Sequence, residues 1–348
     1  MLELFALLKE KNNILKIVEK LNGLSISSGK EFRKQFTKII MYDIIGDVHG
    51  QATLLKKLLL KLGYQKGETG YFHSERKAVF VGDFINRGDE IRKTIKLIRK
   101  MVRNGNAFAI LGNHEINAIL FDMKDVDGKP LIKQPRKSYL SLFKTINEYV
   151  DRTEQWEKHI RWIRSLPLFI EFDNIRFVHA CWSDLAVEQL KIKLAEESNT
   201  KNIYREYYKS PKSELSKSIS ILTKGIDLKM PGDLKIVNNK GVIPLSFRLS
   251  WWKKPEGKTF REMSFESKFK LPAYTIPPEI LPETFFYSEN ESPVFFGHYC
   301  RGRGPHIIKS NICCVDSCVS RTKVLTAYSW SGEKVLVKEN LVHVNRVS

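Results

Sequence analysis

A chain of 348 residues, 42% hydrophobic and 28% charged, has the composition of a folded globular protein and enough material for one large domain or two ordinary ones. No stretch reaches the roughly 18 consecutive apolar residues of a membrane span. Glu3 and Lys9 interrupt the apolar core that a signal peptide keeps, so a cytoplasmic protein is expected. The formal net charge of +19 favours anionic partners such as phosphorylated proteins, nucleotides and nucleic acids. The lysines are spread along nearly the whole sequence, which predicts a solvated basic surface in preference to a dedicated nucleic-acid groove.

Residues 1–40 place Leu4, Leu8, Leu15, Val18 and Leu21 at helical spacing, and the serine-rich stretch from Gly23 to Gly29 breaks the pattern. This predicts a helical arm appended to a domain over 41–348. Met41-Tyr-Asp-Ile-Ile-Gly46 then reads as a strand, Asp47-Val-His-Gly50 as a tight turn and Gln51 to Leu62 as a helix. The same grammar recurs twice. Ala78-Val-Phe-Val81 ends at Gly82-Asp83 before a helical run from Asp89 to Val102, and Ala107-Phe-Ala-Ile-Leu111 ends at Gly112-Asn-His-Glu115 before another helix. A β-α-β-α-β unit of this kind has right-handed crossovers and parallel strands. Their C-termini then share one sheet edge, where open α/β folds bind ligands.

Helical segments carrying Trp156 and Trp162 follow, and two more apolar runs come after them: Ile175-Arg-Phe-Val178 ending at His179, and Val294-Phe-Phe296 ending at Gly297-His298. Residues 184–245 read as a Lys- and Ser-rich helical insertion with a loop-like stretch from Gly225 to Gly241, expected to cap the site. Val315, Val319, Val324 and Leu325, before Tyr328-Ser-Trp330, read as closing strands joined by a Ser331-Gly332 turn. Of five cysteines, an odd number, Cys313, Cys314 and Cys318 lie in or beside an apolar run without paired CxxC spacing. Reduced thiols are therefore expected in preference to a disulfide framework or a zinc cluster.

Two divalent ions about 3.5 to 4 Å apart need a bridging carboxylate, further oxygen or nitrogen ligands, and room for a shared water. Asp83 is the natural bridge. Asp47 and His49 stand at alternate positions of one turn and suit a first ion, while Asn113, His179 and His298 suit a second. Mixed oxygen and imidazole donors without thiolate point to Mn first, with Fe, Zn or Co as alternatives to it, rather than Mg.

Gly46-Asp-Val-His-Gly50, Gly82-Asp-Phe-Ile-Asn-Arg-Gly88 and Gly112-Asn-His-Glu115 closely resemble, in order, the three signature blocks of the phosphoprotein-phosphatase branch of the metallophosphoesterases. Phe177-Val-His-Ala180 and Phe296-Gly-His-Tyr299 are similar to its later histidine blocks. The resemblance implies an α/β (α+β) fold, a calcineurin-like β-sandwich of two mixed sheets flanked by helices, here with a helical cap insertion. It also implies that His114 protonates the leaving oxygen and that Arg87 grips the phosphate, with Arg248, in Phe247-Arg-Leu-Ser-Trp-Trp252, as a second clamp. Within the branch, Val178-His-Ala-Cys-Trp182 and the segment from Leu325 to Glu333 look most like the bacterial group of symmetrical diadenosine-tetraphosphate hydrolases and small Ser/Thr phosphatases.

One position departs from the pattern, because Asn86 stands where the family usually carries an Asp that charges and orients the histidine. The expectation is a phosphoesterase using a metal-bound hydroxide, foremost a protein Ser/Thr or dual-specificity phosphatase acting on phosphorylated protein. The alternatives are a symmetrical dinucleoside-tetraphosphate hydrolase acting on a nucleotide substrate and a catalytically weakened phosphate-binding protein.

Overall fold

The computed structural model describes residues 41–345 apart from 69, 126, 133–134, 173, 230–245, 266–270, 272, 282–285 and 301–305. The expected helical arm over 1–40 therefore lies outside the described residues. In chain order the elements are β1 (Met41–Ile45), α1 (Ala52–Lys61), β2 (Gln65–Gly67), β3 (Gly70–Phe72), β4 (Arg76–Phe80), α2 (Ile91–Arg103), β5 (Ala107–Ala109), α3 (Asn113–Asp122), α4 (Pro135–Asn147), α5 (Thr153–Arg164), β6 (Phe169–Phe172) and β7 (Ile175–Val178). They continue with α6 (Asp184–Glu196), α7 (Thr200–Lys209), α8 (Glu214–Lys224), β8 (Asp227–Lys229), β9 (Ser246–Arg248), α9 (Phe260–Met263), β10 (Val294–Phe296), β11 (His306–Lys309), β12 (Ile312–Cys314), α10 (Val319–Thr322), β13 (Val324–Trp330) and β14 (Leu341–Asn345). No helix among the described residues is long and apolar enough to cross a membrane.

Two five-stranded sheets, ordered β14-β13-β1-β4-β5 and β11-β12-β10-β7-β6, form the expected sandwich. Both are mixed. In the first, β1, β4 and β5 run parallel, β13 pairs antiparallel with β1, and β14 pairs antiparallel with β13. In the second, β7, β10 and β12 run parallel and β6 and β11 antiparallel. The two-residue period of a strand decides what each face meets. Tyr42 and Ile44 join Phe177, Phe295 and Tyr328 in the core between the sheets, with Tyr42 stacked on Phe172 at 5.3 Å and Phe295 against Tyr328 at 5.0 Å. Ile45, Ala78 and Phe80 face outward into the larger core made with the helices.

Asp43 occupies the intervening position on β1 and is fully buried, so its charge needs a partner. Arg76 on β4 supplies it, with Nε donating to both carboxylate oxygens at 2.9 and 3.0 Å. The same guanidinium donates to the Tyr42 and Trp330 carbonyls at 2.8 and 2.9 Å, so one side chain ties β4, β1 and β13 together. Helix starts are fixed in the same way. Glu90 accepts from Thr53 N and Oγ1 at the start of α1, and Glu148 accepts from Ile91 N and Arg92 N at the start of α2.

Two expectations about the C-terminal part are corrected. Val319 lies in the one-turn helix α10, not a strand, because Cys318 and Lys323 on either side adopt left-handed φ values of 55° and 61° that break the extended chain. The link after Ser331-Gly332 is not a tight hairpin but includes a 3₁₀ turn over Lys338–Asn340 before β14. The thiol reading also changes: Cys300 and Cys318 are joined in a disulfide, while Cys181, Cys313 and Cys314 are free and buried. Folding brings Cys300, just beyond β10, against the loop after β12, a proximity that sequence spacing did not reveal.

Arg76→Ala leaves Asp43 charged and buried without its partner and is expected to cost about 3 kcal/mol or more. Urea unfolding would show this as a lower midpoint, and Asp43→Asn in the same background should restore part of the loss. An unchanged midpoint would mean that the pair does not hold the three strands.

Candidate active site

The parallel strands of both sheets end along one edge, and the site is assembled from the residues just beyond them. The ladder continues into these loops through His49 N to Asp83 O at 2.9 Å, Gly50 N to Phe84 O at 2.9 Å and Gly297 N to His179 O at 2.9 Å. Loops that would otherwise be mobile are thereby held as extensions of the sheets. The close approach leaves no room for side chains at two glycines: a Cβ on Gly112 would run into the Asp83 carboxylate, and one on Gly297 into that of Asp47. His49, Asp83, Asn86, Arg87 and His298 all have positive φ, and they are five of the seven such non-glycine residues among those described. Unfavourable backbone of this kind survives only where the surroundings over-determine it, which marks this edge as the functional one.

Asp83 lies at the centre, 2% exposed. Its Oδ1 faces His179 Nε2 at 3.4 Å and accepts from His114 N at 3.0 Å. Its Oδ2 faces His49 Nε2 and His114 Nε2 at 3.9 and 3.8 Å. Two clusters of metal-type donors, His49 with Asp83 and His114, and Asp83 with His179 and His298, share this one carboxylate. Burial opposes its ionisation, but His179 and His114 outweigh burial and hold its pKa well below the usual range. Asp47 is pushed well above its usual value by burial and then by Asp316, which outweigh the lowering by His179.

The orientation of the imidazoles is more informative than their proximity. His49 Nδ1 lies 3.0 Å from the Ile85 carbonyl and His179 Nδ1 2.7 Å from that of Val81. A carbonyl only accepts, so each Nδ1 carries a proton; His49 is neutral and turns an Nε2 lone pair towards carboxylate oxygen, and His179 offers one once its Nε2 gives up the proton that Asp83 holds there. In His298 the backbone N–H donates to Asp47 while the buried Nε2 has no partner among the described residues. Asn113 Oδ1 adds a further acceptor 3.2 Å from His179 Nε2. Lone pairs facing lone pairs at 3.2–3.9 Å fit divalent cations between them, the arrangement expected of imidazole ligands held by carbonyls behind.

The remaining predicted residues are also brought here. Arg87 is exposed, with NH2 3.2 Å from His114 Nε2. Arg248, at the end of β9, sits with its guanidinium 5.3 Å from the Tyr299 ring and 3.8 Å from Asp227, and its charge helps burial and His179 lower the pKa of His298. Asn86, in the position of the family's usual Asp, does not accept from His114. The Thr145 hydroxyl, from α4, donates to Asn86 Oδ1, so the amide turns Nδ2 to His114 Nδ1 at 2.6 Å. His114 is thus an acceptor at Nδ1. Burial first, then Arg87 and His179, also hold its pKa below the usual histidine value.

Three residues were missed in the sequence. Glu115 is fully buried and gathers four backbone N–H groups, from Gly112 and Asp83 on Oε2 and from Phe84 and Ile85 on Oε1, at 2.8–3.2 Å. These donors favour its carboxylate against burial and Asp83, which push its pKa up to about 7. Its place three residues after the helix N-cap is the capping-box position, and that was the available signal. Asp316, with a pKa raised by burial to about 6, follows the apolar run of β12 by the same strand-end grammar as the others. Thr145 carried no signal of its own.

A sequence profile of the calcineurin-like phosphoesterase family matches residues 42–259. Among curated proteins, the chain is 37% identical over 141 residues to a bis(5'-nucleosyl)-tetraphosphatase PrpE (asymmetrical) of Oceanobacillus iheyensis, covering 40% of this chain and 54% of that one. It is 29% identical over 136 residues to a symmetrical bis(5'-nucleosyl)-tetraphosphatase of Janthinobacterium sp., covering 39% and 42%. The chain spans about half the length of these relatives. A solved protein serine/threonine phosphatase from Saccharomyces cerevisiae shares 15% identity at a TM-score of 0.42, over 90% of this chain and 82% of that one. The profile spans the strands, turns and helices that carry Asp47, His49, Asp83, Asn113, His114 and His179, and on that match the chain belongs to the calcineurin-like phosphoesterase family.

Proposed function

We propose that this protein is a two-metal phosphoesterase, with Asp47, His49 and Asp83 holding one ion and Asp83, Asn113, His179 and His298 the other. The observation that carries this reading is the pair of Asp83 oxygens, each turned to a different imidazole Nε2. Bound there, such ions neutralise phosphate charge and supply a water nucleophile at neutral pH, with Mn the first candidate. Arg87 grips the phosphate through paired N–H donors, and Arg248 reaches it from the His298 side. The helices of the expected cap, α6 to α8, form the rim, while residues 230–245 of it lie outside the described residues. In support, α8 accepts the Ala180 N–H through Leu222 O at 2.9 Å, one residue beyond His179.

Asn86 bears on the choice of substrate. A protonated His114 would carry hydrogen on both ring nitrogens and would face the Asn86 N–H donor, unless the amide rotated and gave up Thr145. The neutral ring is therefore favoured, and it donates a hydrogen bond to the leaving oxygen more readily than it transfers a proton. Leaving groups that are stable as anions suit this arrangement. Phosphoanhydrides such as dinucleoside polyphosphates, the substrate class in the relatives' names, are favoured over phosphoserine and phosphothreonine esters.

The direct test compares diadenosine tetraphosphate with a phosphoserine peptide in the presence of Mn. Faster turnover of the dinucleotide is expected, with nucleoside diphosphate as sole product for symmetrical cleavage and mono- plus triphosphate for asymmetrical cleavage. Faster orthophosphate release from the peptide would return the protein-phosphatase reading to first place.

Asp83→Asn should abolish turnover and the content of both ions together, read by elemental analysis. Two ions per chain with near-normal rate would remove Asp83 from the bridge. Asn86→Asp should raise the rate on the phosphoserine peptide by up to roughly the 10²-fold scale of general acid catalysis while changing the dinucleotide rate little. A carboxylate favours imidazolium, so the acid form would persist to higher pH and the active range on alkyl esters would widen upward. Equal effects on both substrates would show that His114 is not limited by its neighbour.

Metal uptake offers a further check. Burial lowers the pKa of His179, but Asp83 outweighs it and raises it to about 10, so the metal-free ring holds a proton at neutral pH. An ion must displace that proton. Affinity should therefore rise with pH up to about that value, and calorimetry in buffers of different ionisation heat should detect proton release. Uptake without proton release would take His179 out of the ligand set.

A further inference from the structure

At the far end of α3 from Asn113 and His114, a second concavity opens between that helix, α5 and α7. Its volume is about 370 Å³, within the roughly 300–1,000 Å³ typical of small-molecule sites. The helix has 10 residues, so the two ends lie roughly 15 Å apart and this pocket is separate from the active site. Met123 and Ile160 form a buried apolar floor. The walls carry Lys124, Arg161, Arg164, Lys201 and Arg205, five cationic side chains drawn from two helices, α5 and α7, and the turn after α3.

What distinguishes the pocket from an ordinary basic surface is how its charges are used. Two of the three carboxylates in the wall are already engaged within the fold. Asp122 accepts from Trp156 Nε1 at 2.7 Å, and Asp125 accepts from the N–H groups of Asp127 and Lys129 at 3.0 and 2.9 Å. Glu157 is the third. The cations have no corresponding use: among the described residues none of the five forms an ion pair, and the hydrogen bonds from their side chains end on uncharged oxygens. Arg205 donates to Asn202 Oδ1 at 3.1 Å and to the Lys124 carbonyl at 3.4 Å, and Arg161 to the Glu157 carbonyl at 3.2 Å. Arg205 Nε is buried without any partner, which costs free energy unless a ligand supplies the acceptor.

We infer that this pocket is a second anion site, which binds a small phosphate-bearing anion of the pyrophosphate type between Arg164 of α5 on one side and Lys201 and Arg205 of α7 on the other, with Lys124 beside Arg205. Guanidinium forks match phosphate oxygens through paired hydrogen bonds, and ammonium groups complete the charge. An anion with two phosphates could reach both walls. The inference does not depend on the proposed hydrolytic chemistry, since none of these residues belongs to the strand-end edge.

The test is calorimetric titration, with inorganic pyrophosphate at low salt, of the full-length, metal-stripped protein carrying Arg87→Gln and Arg248→Gln, which removes the phosphate grips of the strand-end edge. One pyrophosphate per chain is expected, and Arg164→Gln with Arg205→Gln should weaken it about tenfold or more, as loss of charge-assisted hydrogen bonds implies. Lys56→Gln with Lys66→Gln removes the same charge from exposed positions elsewhere and should change affinity by less than about twofold. If the double arginine variant does not fold, Lys124→Gln with Lys201→Gln removes two other lining cations with the same expectation. No binding by the metal-stripped protein, unchanged affinity in the pocket variants, or equal weakening in the charge-matched control would each overturn the assignment.

Discussion

The arrangement of the site rests on a carboxylate that is buried where a carboxylate should not be. Asp83 has its charge held by neighbouring histidines and its backbone held by Glu115. Every other predicted ligand is positioned relative to it or to its near neighbour Asp47. The sandwich makes this possible by ending its parallel strands together. It brings side chains from distant parts of the chain into a space too small for water to solvate each one separately. The desolvation cost is offset only if positive charge enters, whether protons on His179 or divalent ions. On this reading the fold imposes the demand and the ions answer it.

Much of this was legible in the sequence, and the reason is local. Asp47, His49, Asp83, Asn113, His179 and His298 each fall within a few residues of an apolar run, so recognising the run also placed the side chain. The parallel β1-β4-β5 order followed from the same repeat. Glu115, Thr145 and Cys300 were not legible because their action crosses sequence distance. Glu115 works on amides about thirty residues upstream, and Thr145 reaches Asn86 from a helix 59 residues away. Cys300 pairs across 18 residues with Cys318. Pairings of this kind depend on the three-dimensional path of the chain, and local composition does not encode it. The misread Val319 has the opposite cause. Its apolar, β-branched side chain suits a strand, but left-handed residues on either side override that preference.

Asn86 shows how a single-atom exchange, oxygen for NH₂, changes meaning with its surroundings. In isolation an amide could accept from His114 as a carboxylate does. With the Thr145 hydroxyl occupying its oxygen, the amide presents its donor instead, and on the proposed mechanism the histidine beyond it would act as a hydrogen-bond donor in place of a proton source. The chemistry proposed for the reacting end would then be set by a threonine that lies behind the amide.

The strand order of the first sheet has a consequence for how the molecule is made. β1, the first described strand, lies between β4 and β13, and Asp43 on it is bonded to Ser329, 286 residues later. During synthesis the N-terminal half emerges with β1 unpaired along one edge, and His298 and Asp316 are added late. The sheet cannot be complete before β13 has been made, nor the site before the segment from β10 to β12 has. Contacts of such long range form slowly and leave apolar strand edges exposed meanwhile. Loss of β13 would therefore hold the nascent protein at its most aggregation-prone stage, however intact its signature residues.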